Sequence, residues 1–545
     1  MTGLEVRTGV AFDRRRRVAF AFFFVTAIAI YFAYNTWKAR EVLIDDAFIS
    51  YRYAANWVNG KGVCFNPGET VEGYTNFLWM AISAAAIALG GDPVAVTVSL
   101  GVYSFLAALV LCAWIAFFKS RAGLSVALIA SLPLGLFILP KGFASLAGTG
   151  LETSFLGLVL LLIGLSNHVW TRRGWVFAGF ASSLPLIALL TRLDAALPVV
   201  TSGIVYFFQN LRVEGARAST LRTVGRFGPA LLGLAGFLAW KQTYYGAIIP
   251  NTYWAKGADF VPILVGIRYA VGFLRHAPWV MLLAPLAIFA AIAPNPGRRF
   301  SAYAVLSCLL HAAYVVKVGG DFMQWRFMWE VVPLFLAACA FGLSSFPSRA
   351  VAASVAILAL PLATTEPYYE HSHGMHEPEK MNDYTRAGVR VGQALSGLPP
   401  DTLVATTLAG TVGYYSRLPV LDQWGLNDAH VARLPITAFG ARGHVKRAPL
   451  EYLQERNVNL VVDHPVLCPC SKPCVENKPS VFVRIGKDEC VRAWYMHATE
   501  ALTQDLCRPR ADVFLHNVRC PGERVMRIAT ASTGPTLAPI RAAPR

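Results

Sequence analysis

The stretch "RRRRVAFAFFFVTAIAIYFAYNTWKAREVLIDDAF" runs from Arg14 to Phe48. Four arginines precede an apolar run, Val18–Tyr34, and two adjacent carboxylates, Asp45 and Asp46, follow it. About 17 apolar residues lie near the lower limit for crossing a bilayer. No small-residue cleavage site follows; Asn35, Thr36, Trp37 and Lys38 do. This segment therefore reads as an uncleaved first transmembrane helix. Its arginines mark the cytoplasmic end.

The rest of the chain extends that reading. Its 545 residues are 55% hydrophobic and 15% charged, with a mean hydropathy of +0.46. A soluble domain carries about 25% charged residues. The apolar runs are concentrated before residue 366. The expected architecture is a polytopic α-helical membrane domain, residues 1–365, followed by a soluble α/β domain, 366–545. Eleven candidate spans stand out, near 18–34, 95–118, 123–140, 152–165, 174–190, 195–209, 227–240, 278–294, 300–316, 328–345 and 350–364. Phe77–Gly90 reads as a helix at the membrane face, inside a first outer loop of about 35–94.

Charge sets the orientation. With the N-terminus in the cytoplasm, the cytoplasmic segments hold 16 Lys and Arg among 55 residues. The opposite short segments, among them 241–277, hold 12 among 123. This is the asymmetry of the positive-inside rule. An odd number of spans then puts the C-terminal domain outside the cytoplasm, in the plasma membrane's outer compartment. The net charge of +17 belongs to this pattern, and no basic stripe on a soluble scaffold points to nucleic acid.

Polar clusters gather on the outer side. They include "GTGLETSF" with Glu152, "TRLDAALP" with Arg192 and Asp194, and "YYGAIIPNTYWAKG" with Asn251, Tyr253 and Lys256. "GGDFMQWRFMWE" adds Asp321 and Arg326. Ionisable groups at membrane depth are functional candidates by default. Each also has a structural reading: local ion pairs, a dipole-offsetting Glu152, a snorkelling Lys256. His311 reads as packing, and "HSHGMH" (371–376) as a linker rather than a metal site.

A boundary pocket with carboxylates and cations suits sugar transfer from a lipid-phosphate donor. A carboxylate can take the acceptor's proton, cations can hold the leaving phosphate, and the lipid tail needs an apolar groove. Lys256, Arg192 and Arg326 are the candidate phosphate-binding cations.

The motifs carry a resemblance. "DDAFISYRYAANWVNGKGVCFNPGETVEGYTNFLW" (Asp45–Trp79) resembles the first outer loop of polytopic GT-C glycosyltransferases. "GLETSF", "LLTRLDAALP", "YYGAIIPNTYWAKG", "GGDFMQWRF" and "VLDQWGLND" are similar to the branch that uses decaprenyl-phosphoryl arabinose, the terminal arabinofuranosyltransferases. The resemblance implies a catalytic acid in the first outer loop, at Asp45 or Asp46. It implies a polyprenyl-phosphate sugar as donor and a cell-envelope glycan such as arabinan as acceptor. Within the pair the reading leans to Asp45 as base, with Asp46 beside the cap of the following helix. A divalent cation bridging both is the alternative. Donor and product in this branch are both β-linked, which implies retention. The competing readings are another sugar passed to lipid or protein, and a lipid-linked-sugar transporter or flippase.

In the tail, "DTLVATT", "LPVLD" and "VFVRI" read as strands, "LAGTVGYYS" as a glycine-rich turn, and "PLEYLQERNVNLVVDHP" as helix then strand. Trp424, Tyr414 and Tyr415 offer aromatic faces to an acceptor sugar. Six cysteines, Cys468, Cys470, Cys474, Cys490, Cys507 and Cys520, make up to three disulfides the expectation.

Overall fold

The computed structural model describes residues 42–119, 146–169, 175–257, 262–345, 378–436, 443–474, 478–508 and 513–520. The expected spans at 18–34, 123–140 and 350–364, and the "HSHGMH" linker, lie outside these residues.

Most of the other expected spans fall on helices. Two described helices are long and apolar enough to cross a membrane: Pro93–Cys112 and Arg298–Val318. Phe77–Ala88, Thr153–Asn167, Trp175–Thr191 and Val332–Leu343 are shorter apolar helices. Ala196–Glu214 presents Val200, Ile204 and Phe208 outward. That four-residue spacing puts them on one face. An outward apolar face fits a lipid surround, where the helix satisfies its own backbone. Inside, Trp279, Trp325 and Trp329 are fully buried in one continuous core, and Trp79 is fully buried as well.

The expected outer loop 241–277 is not irregular. It carries the short helix Asn251–Ala255 and the amphipathic helix Ile263–His276. The latter meets Trp279–Ile292 at a bend of 93°. Gly266, Tyr269, Gly272, Phe273 and His276 form its buried side. Two glycines on that side let it lie close against the bundle, while Ile263, Leu264, Ile267 and Val271 face outward.

The C-terminal region forms one six-stranded sheet in the order β2-β1-β3-β5-β4-β6. The strands are β1 Val404–Thr406, β2 Val420–Asp422, β3 Leu460–Cys468, β4 Ser480–Gly486, β5 Glu489–Tyr495 and β6 Val513–His516. β1 pairs in parallel with β2 and β3, and the other pairs are antiparallel. Parallel neighbours need a crossover, and "LAGTVGYYS" supplies it. It is the helix Ala409–Ser416, not a turn. Its glycines serve close packing. A Cβ on Gly410 would sit 1.9 Å from the Asp45 carbonyl oxygen, and one on Gly413 2.7 Å from Arg52 Nη1. Three disulfides, Cys468–Cys474, Cys470–Cys490 and Cys507–Cys520, tie this region together.

The helix Asp45–Val58 joins the two parts. It lies against Ala409–Ser416 and holds both of its ends. Asp45 accepts from the Gly410 and Thr411 amides at 2.9 and 2.8 Å, and from the Thr411 hydroxyl. Arg52 donates to the Gly413 carbonyl, and to the Leu418 carbonyl at 2.7 Å. An acid at the amino end and a cation at the carboxyl end both match the helix dipole.

Candidate active site

Below the joint lies a cavity of about 280 Å³ lined by Asp46, Glu152, Arg192, Asp194, Lys256 and Arg326, among others. Arg192 organises its floor. Nη1 donates to Glu152 at 3.1 Å, and Nε and Nη2 donate to Asp194 at 3.0 and 2.6 Å. Glu330 comes within 3.3 Å of Nε. Asn76 donates to the other Glu152 oxygen at 2.9 Å. Arg326 pairs with Asp321 at 2.7 Å. The Phe327 ring lies between the two guanidiniums, 4.7 Å from Arg192 and 5.0 Å from Arg326. Burying so many charges is costly unless each is paired. Here Arg192 and Arg326 each have their carboxylates.

The two opening acids differ. Asp45 is taken up by its three hydrogen bonds to Gly410 and Thr411. Burial pushes its carboxyl up to about 6, against the pull of those bonds. Asp46 lines the cavity. Burial raises its carboxyl too, opposed by the charges of Arg326 and Lys256 and reinforced by Asp321 and Glu152. The expected arrangement, Asp45 free and Asp46 beside a cap, is therefore reversed. Asp45 caps a helix from the far end of the chain, while their own helix begins at Ile44 with no side-chain cap. Successive helical residues point about 100° apart, so neighbours in sequence face different surroundings. A cation bridging the pair would have to share Asp45 with the three hydrogen bonds it already accepts. Among the described residues no group of three or more His, Cys, Asp or Glu is arranged to hold a metal.

A second cavity, about 360 Å³, opens on the other side of Asp46. Asp46, Ile49, Lys256 and Leu426 line both. Burial lowers the Lys256 ammonium, opposed by Asp321 and Asp46. The far wall comes from the C-terminal sheet: Thr407 follows β1, Asp422 ends β2, and His464 lies in β3. Trp424 lines it, its ring 3.7 Å from that of His444.

The other expected site residues divide. Tyr253 lines the first cavity. Asn251 does not; its amide donates to the carbonyls of Gly425, Leu426 and Asp428, fastening its segment to the C-terminal region. Tyr414 lines neither cavity and packs on Phe48 and Tyr51 at 5.8 and 6.1 Å. In a helix Tyr414 faces the joint, whereas a turn would have left it exposed. His311 bonds the Phe327 carbonyl at 2.9 Å. Sequence reasoning missed Glu330, and also Glu72, which pairs with Lys241 at 2.8 Å. Burial pushes the Glu72 carboxyl up to about 7, opposed by Lys241. For Glu330 the signal was a lone acid in the apolar, aromatic run "RFMWEVVPL"; Glu72, among polar and glycine residues, carried none.

Comparison with known proteins places the chain among relatives. Residues 379–511 match a family model described as a domain of unknown function (DUF8728). The chain is similar to the terminal beta-(1->2)-arabinofuranosyltransferase of Mycobacterium tuberculosis, 27% identical over 353 residues, covering 57% of this chain and 53% of that protein. The Corynebacterium glutamicum protein of the same name is 25% identical over 333 residues, covering 56% and 48%. The chain thus spans about half the length of the curated relatives it matches. Among solved structures, ArnT from Cupriavidus metallidurans bound to undecaprenyl phosphate superposes with a TM-score of 0.49 at 13% identity, covering 86% of this chain and 98% of that one. Its apo form gives 0.48 at 10% identity, covering 87% and 98%.

Proposed function

We propose that this chain is a membrane glycosyltransferase that moves a sugar, arabinofuranose in the leading case, from a polyprenyl-phosphate donor to an envelope glycan on the extracytoplasmic face. One observation carries the reading: a carboxylate and an ammonium, Asp46 and Lys256, line both of two adjoining cavities. The arabinofuranosyltransferase relatives support the choice of sugar. Charge asymmetry and disulfides support the C-terminal domain's outer location.

In this reading the donor's sugar and phosphate occupy the cavity beside Arg192. Lys256 and Arg326 act on the phosphate. Arg192, held by three carboxylates, is a positioning residue that fixes Glu152 and Asp194. In a single displacement, the acceptor hydroxyl oxygen bonds to the anomeric carbon as the carbon–oxygen bond to phosphate breaks. The hydroxyl proton passes to Asp46, and the bond electrons leave with the polyprenyl phosphate. That course inverts the anomeric centre. If the product retains configuration, Asp46 acts instead as a nucleophile or stabilises an oxocarbenium-like sugar.

The test is transfer of labelled sugar from polyprenyl-phosphoryl arabinofuranose to an arabinan oligosaccharide in proteoliposomes, with the product's anomeric configuration read by NMR. Transfer that Asp46→Asn abolishes supports the reading. Movement of intact lipid-linked sugar across the bilayer with no new glycosidic bond makes the protein a transporter instead.

A further inference from the structure

We infer that the second cavity is a binding site for a neutral glycan, and that presenting it is the task of the C-terminal domain. As acceptor subsite it rests on the transferase reading; as a glycan site it stands on its own geometry.

The position is the first argument. Thr407, Asp422 and His464 sit at or just beyond the carboxyl ends of the parallel part of the sheet, β2-β1-β3. Strand ends of this kind are where open α/β sheets bind ligands, because the loops leaving them are free to vary. Here those loops face the Asp46 wall.

The construction is the second. Asp422 is buried and accepts from the amides of Trp424 and Asn427, both at 3.0 Å, and from the Asn427 side chain at 3.0 Å. It therefore shapes the turn that carries Trp424. The His444 ring lies edge-on to Trp424 and 4.9 Å from Phe322. Across the cavity, the Tyr384 ring lies 4.7 Å from His464, whose Nδ1 is 3.3 Å from the Thr407 hydroxyl. Aromatic walls with a few fixed hydroxyl and imidazole groups suit the carbon–hydrogen faces and hydroxyls of a sugar.

The charge is the third. The ion-paired arginines and their carboxylates belong to the first cavity. Among the described residues Lys256, on the shared wall, is the one Lys or Arg lining this cavity, and two of its three carboxylates are engaged: Asp45 at the Ala409–Ser416 helix and Asp422 in its own turn. Such a lining does not draw a phosphate or a polyanion. It fits an uncharged oligosaccharide whose end reaches Asp46.

The experiment uses the full chain in nanodiscs, without donor, and a synthetic arabinofuranosyl tetrasaccharide as probe. Binding is read by calorimetry, with inorganic phosphate and a glucopyranosyl tetrasaccharide as comparisons. We expect the arabinofuranosyl probe to bind and phosphate not to compete. Trp424→Ala should weaken binding roughly tenfold, as loss of an aromatic stacking face does. Where Trp424→Ala loses the folded state, Trp424→Phe and Thr407→Val are measured instead, each expected to weaken binding several-fold. In turnover, Trp424→Ala should raise the KM for the acceptor more than that for the donor. No binding of either oligosaccharide by the native chain, or unchanged affinity in the folded variants, overturns the inference. Binding of the glucopyranosyl probe alone keeps the glycan site and changes the sugar class. Binding that weakens as expected, in a protein that never consumes a lipid-linked sugar, refutes the transferase reading and leaves the glycan site standing.

Discussion

The cavity beside Arg192 and the cavity beside Trp424 meet at Asp46, yet they are made of different materials. The first has a floor of buried ion pairs whose partners come from distant segments: Glu152, Arg192, Asp321 and Glu330. Each charge is held by others, so the geometry is stiff and intolerant of change. The second shares Asp46 and Lys256 with the first, and its far wall is made of rings, a hydroxyl and the turn-bound Asp422, set on or beside a small sheet. Its rings, such as Trp424, His444 and Tyr384, could be exchanged one at a time without removing a partner of the Arg192 ion pairs.

Four substitutions probe that contrast. Asp46→Asn, on the shared wall, should lower transfer by ~10²–10⁴-fold while the protein stays folded, measured with labelled donor. Near-native turnover would move the reaction elsewhere. Since burial holds the Asp46 carboxyl above the ordinary 3.8 against the pull of Arg326 and Lys256, the ionised form appears only as pH rises through that raised value. The acidic limb of the rate profile should therefore have its midpoint above pH 3.8, with activity lost as pH drops through it.

Arg192→Met should cost about 3–5 kcal/mol of stability, since it strands buried carboxylates. Denaturant unfolding in detergent would measure it. An equal loss for Trp424→Ala would erase the distinction between the walls. Lys256→Ala should weaken binding of the polyprenyl-phosphate donor by ~10–100-fold, the range for a charge-assisted hydrogen bond. An unchanged donor affinity removes Lys256 from the phosphate site. The smallest effect belongs to Asp45→Asn. Asn caps well but loses one acceptor, so about 1 kcal/mol of stability is at stake, read from the thermal midpoint. A loss of transfer as large as that of Asp46→Asn would mean that the cap also governs chemistry.

The first cavity was more legible in the sequence than the second. Glu152, Arg192, Lys256, Asp321 and Arg326 stand out as charges in apolar surroundings, and the charge asymmetry of the loops put them on one side. Their pairing was less legible, because Arg192 meets Glu152 and Glu330 only through tertiary packing. The placement of Asp45 was not legible because its partners lie at Gly410 and Thr411, far along the chain. In the tail, the strands at 404–406, 420–422 and 460–468 matched apolar runs. β5 and β6 were missed, as were the helices Pro378–Leu395 and Ala409–Ser416. Glycine at 410 and 413 reads locally as a turn, and only the approach of Asp45 and Arg52 explains it as packing.

That joint also has a consequence in time. Asp45 emerges from the ribosome 365 residues before the amide of Gly410 that it holds. Until those last segments are made, the helix that aims Asp46 lacks the surface against which it is set. A ribosome halted ahead of residue 410 leaves a chain with its ion pairs encoded but Asp46 unaimed. The joint is thus completed late in the protein's own synthesis, when the helix that carries Asp45 and Asp46 and the segment that receives it have both been made.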